Sequence, residues 1–232
     1  MERLNVHGIK LDLAKGEVSP IIWNALEDGS YEAKEARSIL KAIKPGDRVL
    51  ELGSGIGIIT SIIAGIKDVS VWAFEANPGT AALAERVIKA NCPADNVVFS
   101  QGLLTAHAPH VHAFYVRKDL WMSSMDENQG PYEKRIEIPS ENIDAFIDRH
   151  GINALVMDIE GAEHDLLQNA RLDGVERIFV ELHDHLYHLA GIRDITQALA
   201  LKGYSYDPRG SRGPCVLFSK DDSPREYDPD VD

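Results

Sequence analysis

Cysteine, basic residues and long apolar runs are all scarce in this sequence, and each shortage excludes a class of protein. The two cysteines are too few to hold a secreted fold together, so we expect free thiols in a reducing compartment such as the cytoplasm. The N-terminus does not resemble a signal peptide, and no stretch approaches the roughly 18 apolar residues of a membrane-spanning helix. The 24 basic and 37 acidic residues give a net charge of −13, which disfavours nucleic acids and anionic membranes as partners.

The rest of the composition is that of a soluble globular protein, with 44% hydrophobic and 26% charged residues. No internal repeat or linker-like stretch divides the chain, so the sequence predicts a single domain over residues 1–232. Residues 1–30 are expected to form an irregular lead-in that holds a short strand or hairpin over 5–13. Residues 221–232 are expected to be a frayed acidic tail. The sequence does not specify an oligomeric state.

Strand-like and helix-like segments alternate through most of the chain. Apolar residues at helical spacing occupy 31–43, and residues 48–100 follow the order β-α-β-α-β. The irregular middle holds two strand-like runs, 110–116 and 134–138, before the alternation resumes. The chain closes with a predicted antiparallel strand pair that ends at residue 219. This order predicts an α/β fold with a parallel sheet and helices on its faces.

A glycine-rich turn links the first strand of this unit to its helix. Gly53, Gly55 and Gly57 follow the strand directly, and glycine permits both unusual backbone angles and the close approach of a ligand. The third glycine of the dinucleotide fingerprint is replaced by Ile58, so an NAD-dependent oxidoreductase is disfavoured. The run Glu-Leu-Gly-Ser-Gly-Ile-Gly resembles motif I of class I S-adenosylmethionine-dependent methyltransferases. A turn with no ligand is the alternative interpretation of the glycines alone.

A carboxylate ends the second strand of the unit. At the carboxyl end of a parallel strand, Glu75 is placed to accept hydrogen bonds from the ribose hydroxyls of an adenosine ligand. A solvated residue at a strand end is the alternative, but the glycine turn and the strand-end acid together favour a nucleoside cofactor. Because the third dinucleotide glycine is missing, S-adenosylmethionine is preferred over NAD.

Further motifs resemble the FkbM family of methyltransferases over about residues 30 to 220. The most specific segments are VMDIEGAE at 156–163 and FVELH at 179–183. The chain has Glu-Leu-Gly-Ser where the family more often has Asp-x-Gly-Ala, and Gln-Gly follows the third strand where Asn-Ala is frequent. The other matching segments are Tyr31-Glu32, VLELGSGIG at 49–57, AFEANP at 73–78 and IPSENIDAFI at 138–147.

The resemblance implies a Rossmann-like class I methyltransferase fold, with a seven-stranded, mostly parallel sheet and a C-terminal antiparallel strand pair. It implies S-adenosylmethionine as cofactor and O-methylation of a small-molecule acceptor, such as a natural product or a sugar. A non-catalytic nucleoside-binding module is the rival hypothesis. The residues expected to bind the cofactor are Glu32, Glu51, Gly53, Ser54, Gly55, Gly57, Glu75, Asn77 and Gln101. The acceptor pocket is expected to come from residues 1–30 and 103–139, including the loop that begins at Trp121.

Ionisable residues follow two neighbouring strands of the implied sheet. Asp158 and Glu160 are two positions apart, so they share a face if the strand stays extended, and Glu181 and His183 do the same. Asp158, or otherwise His183, is predicted to be the base that removes the acceptor's proton, with Glu160 and Glu181 in support. As alternatives, these four residues could hold a divalent cation, although their spacing matches no metal motif, or Glu163 and Glu181 could be structural.

Overall fold

The computed structural model describes residues 2–93, 95–119 and 122–221. The predicted tail beyond residue 221 and Trp121 lie outside the described residues. The strands are β1 (Glu2–Val6), β2 (Ile9–Leu13), β3 (Arg48–Leu52), β4 (Ser70–Glu75), β5 (Val97–Gln101), β6 (Leu103–Thr105), β7 (Val111–Val116), β8 (Lys134–Asn142), β9 (Ala154–Met157), β10 (Arg177–Glu181), β11 (Ser205–Arg212) and β12 (Cys215–Ser219). The helices are α1 (Pro20–Asp28), α2 (Ala33–Ala42), α3 (Ile58–Ala64), α4 (Pro78–Asn91), α5 (Ile143–His150), α6 (Glu163–Asn169) and α7 (Asp184–Leu201), with a 3₁₀ turn at Lys15–Glu17.

The central sheet has seven strands in the order β11-β12-β10-β9-β3-β4-β5. Strands β10, β9, β3, β4 and β5 run parallel, whereas β12 is antiparallel to both β10 and β11. The predicted α/β fold with its C-terminal antiparallel pair is therefore confirmed. From β3 the chain builds outward through β4 and β5, and then returns to build β9 and β10 on the other side. Open α/β sheets bind ligands beyond the carboxyl ends of their strands at such a reversal, here between β3 and β9.

Buried apolar side chains cover both faces of this sheet. Along β3, Val49 and Leu50 belong to different clusters, as expected when successive residues of a strand face opposite sides. The cluster of Leu50 joins α5, α6 and α7 to the sheet, and the cluster of Val49 joins α2 and α3. All residues of β9 are buried, which explains why it reads as a continuous apolar run. The sheet is thus held rigidly beneath its carboxyl edge.

Residues 2–30 form regular elements, which corrects the expectation of an irregular lead-in. The β1–β2 hairpin confirms the predicted strand or hairpin, but α1 is an additional helix. The hydroxyl of Ser19 accepts a hydrogen bond from the main-chain nitrogen of Ile22 at 3.3 Å, and Pro20 occupies the first helical position. Gly29 ends the helix with a left-handed φ of 73°. These local signals, a Ser-Pro start and a glycine end, were sufficient to predict the helix.

A second sheet forms from the segment between β5 and α5. Its order is β6-β8-β7, with β8 parallel to β6 and antiparallel to β7. The two strands predicted in this irregular middle are confirmed, although β8 continues to Asn142. Asn142 also caps α5, because its side-chain oxygen accepts a hydrogen bond from the main-chain nitrogen of Ala145 at 2.9 Å.

Both cysteines are free thiols, as expected from their number. Cys92 is partly buried and Cys215 is fully buried in the antiparallel edge of the sheet. Among the described residues, no helix combines the length and the apolar character that crossing a bilayer requires.

A buried ion pair joins the amino ends of the central strands, on the edge opposite the carboxyl ends. Asp47 and Arg177 are 4% and 5% exposed, and the Arg177 guanidinium donates to Asp47 Oδ1 at 2.6 Å. The same oxygen accepts from the side-chain amide of Asn153 at 3.1 Å, and Asn153 also accepts from the main-chain nitrogen of Arg48 at 2.8 Å. The turns before β3, β9 and β10 are therefore connected by one set of polar contacts.

Replacement of Asp47 by alanine is expected to destabilise the fold by about 3–5 kcal/mol, because the buried Arg177 would keep only the longer contact to the exposed Glu176 at 3.8 Å. Urea unfolding followed by circular dichroism measures the change. Asp12→Ala is the matched control, since Asp12 pairs with Arg3 on the surface and such pairs contribute little. Equal unfolding midpoints for the two variants would contradict the structural role of the buried pair.

Candidate active site

A cavity opens at the carboxyl ends of β3, β4 and β9, where the sheet topology predicts a ligand site. The empty space within it is about 830 Å³, including its opening to solvent. The lining residues come from the start of α2, the glycine turn, the end of β4, the small second sheet and the turn after β9. They are Tyr31, Glu32, Leu52, Gly53, Gly55, Phe74, Glu75, Ala76, Thr80, Gly102, Leu103, Leu104, Phe114, Ser123, Met125, Asp158, Ile159, Glu160 and Ala162.

The glycine turn brings bare main chain to the cavity wall. A Cβ atom on Gly53 would lie 1.7 Å from the carbonyl oxygen of Asp158, a distance that no side chain can occupy. The main-chain nitrogen of Asp158 donates to the carbonyl of Leu52 at 3.0 Å, so the ends of β3 and β9 are held against each other. Gly53 also has a left-handed φ of 82°. Both the backbone conformation and the close approach therefore require glycine at this position.

Glu75 fastens the glycine turn to the end of β4. Its carboxylate accepts hydrogen bonds from the main-chain nitrogens of Gly55 at 3.0 Å and Asn77 at 2.8 Å. Burial raises the pKa of Glu75 to about 7, against the opposing effect of those two amides. Glu75 thus orders the turn from one side while it lines the cavity from the other.

The structure brings four of the predicted cofactor residues to the cavity wall, namely Glu32, Gly53, Gly55 and Glu75. The other five lie behind that wall or beside it, where their contacts serve the surrounding loops. Glu51 accepts from the Thr60 hydroxyl at 2.5 Å, the Ser54 hydroxyl donates to the Phe74 carbonyl, and Gly57 precedes α3. Asn77 caps α4 by accepting from the nitrogen of Gly79 at 3.0 Å, and the exposed Gln101 donates to the Ala76 carbonyl.

The apolar wall of the cavity comes from residues 103–139, the segment in which the sequence placed the acceptor pocket, whereas no residue of 2–30 is among the lining residues. Phe114, Ser123 and Met125 line this wall from the second sheet and its loop, which lie far along the chain from the glycine turn. The loop is held by the buried Arg117, whose guanidinium donates to the carbonyls of Met122 and Asp126, among others. Nothing in the sequence marks Arg117 as buried or shows which chain segment it holds.

Asp158, Glu160 and His183 come together beside the cavity. The Nε2 atom of His183 lies 3.4 Å from Asp158 Oδ1 and 3.6 Å from Glu160 Oε2. The two acids do not share a strand face as predicted, because β9 ends at Met157 and Glu160 adopts a left-handed φ of 53°. The turn, rather than an extended strand, directs both carboxylates towards the imidazole.

Glu163 orders the turn that carries these acids. Its side chain is fully buried and accepts hydrogen bonds from the main-chain nitrogens of Ile159 and Gly161, both at 2.8 Å. Its Oε1 atom also lies 3.2 Å from Nδ1 of His183. The expected structural role of Glu163 is therefore confirmed, and the imidazole is held between this carboxylate and the other two.

Glu181 belongs to a second group, with Glu35 and Cys215, although its charge still acts on Asp158 and His183. The strand β10 ends at Glu181 and His183 is the N-cap of α7, so the extended strand on which their shared face depended does not continue to His183. Glu181 pairs in register with Cys215 and lies near Glu35 of α2, whose carboxylate accepts a hydrogen bond from the Cys215 thiol at 2.8 Å. Burial and the charge of Glu35 raise the pKa of Glu181.

The ionisable residues of the cavity are strongly perturbed. Burial, followed by the charge of Glu181, raises the pKa of Asp158 well above its usual range, and burial raises that of Glu160 to about 7. Burial alone would lower the pKa of His183, but Glu163, Asp158 and Glu160 raise it to about 10. No lysine or arginine is among the described residues that line the cavity. Such perturbed groups beside a cavity are typical of an active site.

The chain matches the model of the FkbM methyltransferase domain over residues 57–206. No curated protein sequence has a significant match to it. Among solved structures, PH0793 of Pyrococcus horikoshii, a proposed transferase, is 17% identical with a TM-score of 0.50, covering 94% of this chain and 69% of that one. TYW2 of M. jannaschii in complex with AdoMet is 14% identical with a TM-score of 0.50, covering 94% and 84% respectively. At these identities the two structures share the fold with this chain.

Alanine at Gly53 is expected to lower the free energy of unfolding by at least about 2 kcal/mol, because its Cβ would overlap the main chain of Asp158 and because its φ is left-handed. The same variant is expected to lose binding of S-adenosylhomocysteine in calorimetry. Gly16→Ala is the control, since no atom lies within 4 Å of a Cβ built there. Binding by Gly53→Ala equal to that of the control would contradict the close approach of the two strand ends.

Proposed function

Because the chain belongs to the FkbM methyltransferase domain family, we propose that it transfers the methyl group of S-adenosylmethionine to a hydroxyl oxygen of a small molecule. One observation carries this proposal: a single cavity is bounded by the glycine turn and Glu75 on one wall and by Asp158 and Glu160 on another. A methyl donor held by the first wall and an acceptor beside the second would meet within one enclosed space.

The residues of the first wall suit S-adenosylmethionine. A carboxylate has about four acceptor positions, and the two amides use only part of those on Glu75, so it can also accept from ribose hydroxyls. One oxygen of Glu32, Oε2, is buried without a hydrogen-bond partner among the described residues, and this suits the ammonium group of the methionine part. The bare main chain at Gly53 and Gly55 permits the cofactor to approach closely.

When S-adenosylmethionine is bound, it supplies an activated methyl group: the acceptor oxygen bonds to the methyl carbon as the carbon–sulfur bond breaks, which leaves S-adenosylhomocysteine and a proton. The protein's task is to orient the acceptor and to take that proton. We assign to Asp158 the role of the base that takes this proton. Asp158 lines the cavity, and its Oδ1 has no hydrogen-bond partner among the described residues. His183 lies beside it at 3.4 Å, and Glu160 lies 3.6 Å from the same imidazole nitrogen, whereas Glu181 lies near Glu35 of α2.

The cavity lining outside the glycine turn supports a neutral or cationic acceptor with an apolar part. Leu103, Leu104, Phe114 and Met125 form an apolar surface there, and Ser123 adds one hydroxyl. Its charged lining residues are all acidic among those described, so a phosphate or carboxylate on the acceptor would be repelled. A net charge of −13 opposes a nucleic-acid acceptor for the same reason. These features favour a hydroxylated natural product or an unphosphorylated sugar.

Glu75→Gln is expected to weaken binding of S-adenosylhomocysteine by about 1–2 kcal/mol, roughly 5–30-fold, because one acceptor oxygen becomes a donor. Calorimetric titration measures the affinity. The control is Glu51→Gln, which makes the same chemical change in a buried carboxyl that does not line the cavity. If both variants lost affinity equally, Glu75 would have no special role in the cofactor site.

The reaction is tested with S-adenosylmethionine labelled with ¹³C in its methyl group and a panel of phenols, polyketide alcohols, sugars, sugar phosphates, amines and RNA. The carbon chemical shift of the product distinguishes an O-methyl from an N-, S- or C-methyl group. We expect O-methylation of an uncharged hydroxyl compound. Methylation confined to RNA or to amines would overturn the proposed acceptor class.

With the acceptor so identified, Asp158→Asn is expected to slow turnover by roughly 10²–10⁴-fold while binding of S-adenosylhomocysteine changes little, because asparagine cannot take the proton. A loss of turnover with unchanged cofactor affinity would assign Asp158 to the chemical step and not to cofactor binding. Turnover at the wild-type rate would exclude Asp158 as the base.

A further inference from the structure

The imidazole of His183 lies between two carboxylates that it does not hydrogen-bond. Its side chain is 8% exposed, and Nε2 lies 3.4 Å from Asp158 Oδ1 and 3.6 Å from Glu160 Oε2. One ligand atom from each of the three residues lies within 4.8 Å of the other two. Two ligand atoms at about 2.1 Å from one cation are roughly 3.0–3.4 Å apart, so the 3.4 Å separation already fits a shared ion and the other atoms reach that range by small side-chain movements.

The surroundings of His183 are also those of a metal ligand. A histidine that binds a metal through one nitrogen usually has its other nitrogen directed at a carboxylate, which fixes the ring. Here the fully buried Glu163 places Oε1 3.2 Å from Nδ1, and two main-chain amides hold Glu163 itself. The backbone at Glu160 is left-handed, and Gln129 holds it there: the Gln129 side-chain amide donates a hydrogen bond to the Glu160 carbonyl at 3.0 Å.

The charge of the cluster is unbalanced. Three carboxylates, from Asp158, Glu160 and Glu163, face one imidazole, so two negative charges remain if all three are ionised and His183 is protonated. Among the described residues, these carboxylates form ion pairs with His183 and with no lysine or arginine. The Asp158 Oδ1 atom is buried without a hydrogen-bond partner in the described part of the chain. A cation between these groups would supply the missing positive charge.

We propose that Asp158, Glu160 and His183 bind a divalent metal cation beside the cavity. One nitrogen and two oxygen ligands suit a borderline ion such as Mn²⁺ or Zn²⁺. Three protein ligands leave coordination positions open, and Asp158 and Glu160 line the cavity, so those positions face the acceptor. Its role rests on the proposed function: the ion would orient the acceptor hydroxyl and ease the loss of its proton. With Oδ1 of Asp158 bound to the ion, that proton would pass to Oδ2 of the same carboxylate, so Asp158 remains the base.

A second group of possible ligands, formed by Glu35, Glu181 and Cys215, provides an internal control. Its ligand atoms also lie within 4.8 Å of one another, but the Cys215 thiol already donates a hydrogen bond to Glu35. None of the three lines the cavity. Substitutions in this group should therefore leave metal binding by the first group unchanged.

The test is titration of the full-length protein with Mn²⁺, followed by electron paramagnetic resonance, with and without S-adenosylhomocysteine. We expect one Mn²⁺ per chain, and an electron spin-echo modulation from ¹⁴N that identifies an imidazole ligand. His183→Asn should abolish the ¹⁴N modulation and weaken binding by about tenfold or more. Cys215→Ser should keep both the affinity and the modulation. Binding without the ¹⁴N signal, no binding, or loss only in Cys215→Ser would each overturn the proposal.

A second variant and a calorimetric measurement ensure that every result of this test decides for or against the metal site. If His183→Asn does not fold, as judged by circular dichroism, Glu160→Gln replaces it, since that partly exposed side chain should weaken Mn²⁺ binding without removing the imidazole signal. Calorimetry with S-adenosylhomocysteine separates the two proposals. Cofactor binding without Mn²⁺ binding overturns the metal site alone, whereas Mn²⁺ binding without any cofactor binding or methyl transfer overturns the proposed function.

Discussion

The carbonyl oxygen of Asp158 occupies the place where a side chain on Gly53 would begin, and the rest of the site depends on this contact. Because the ends of β3 and β9 meet there, the glycine turn is pressed against the turn that carries Asp158 and Glu160. The glycine turn and the acidic turn of the cavity therefore share one junction, built on a strand that is buried on both faces.

Burial of acidic groups is the second constraint, and the molecule meets it in two different ways. Glu75 and Glu163 each accept hydrogen bonds from two main-chain amides, so their charges are stabilised by the turns that they order. Among the described residues, Asp158 and Glu160 form ion pairs with the imidazole of His183 alone. The first kind of carboxylate is consistent with a fixed structural task. The second kind keeps acceptor capacity unused, as is needed to take a proton or bind an ion.

The parts of this site that follow from local sequence could be predicted, and the parts that depend on distant contacts could not. The glycine spacing and Glu75 predicted residues that line one wall of the cavity, because a strand, a turn and a helix determine those positions within one βαβ unit. The faces shared by Asp158 and Glu160, and by Glu181 and His183, depended on strands that extend further than β9 and β10 do. The sequence indicated residues 103–139 for the acceptor side but not Phe114 or Met125 individually, because their place at the cavity depends on how a separate sheet packs. The helix α1 was missed despite clear local signals.

The segment that supplies the apolar wall is joined to the acidic turn by a specific contact. Gln129, from the loop between β7 and β8, donates a hydrogen bond to the carbonyl of Glu160, where the backbone is left-handed. The Ser124 hydroxyl in turn donates to Gln129, and Arg117 donates to that same hydroxyl oxygen. A residue in this backbone conformation is costly unless its neighbours hold it, so the loop that shapes the acceptor side also maintains the orientation of the Glu160 carboxylate. Acceptor shape and acid placement are therefore determined together, and a change of loop sequence would alter both at once.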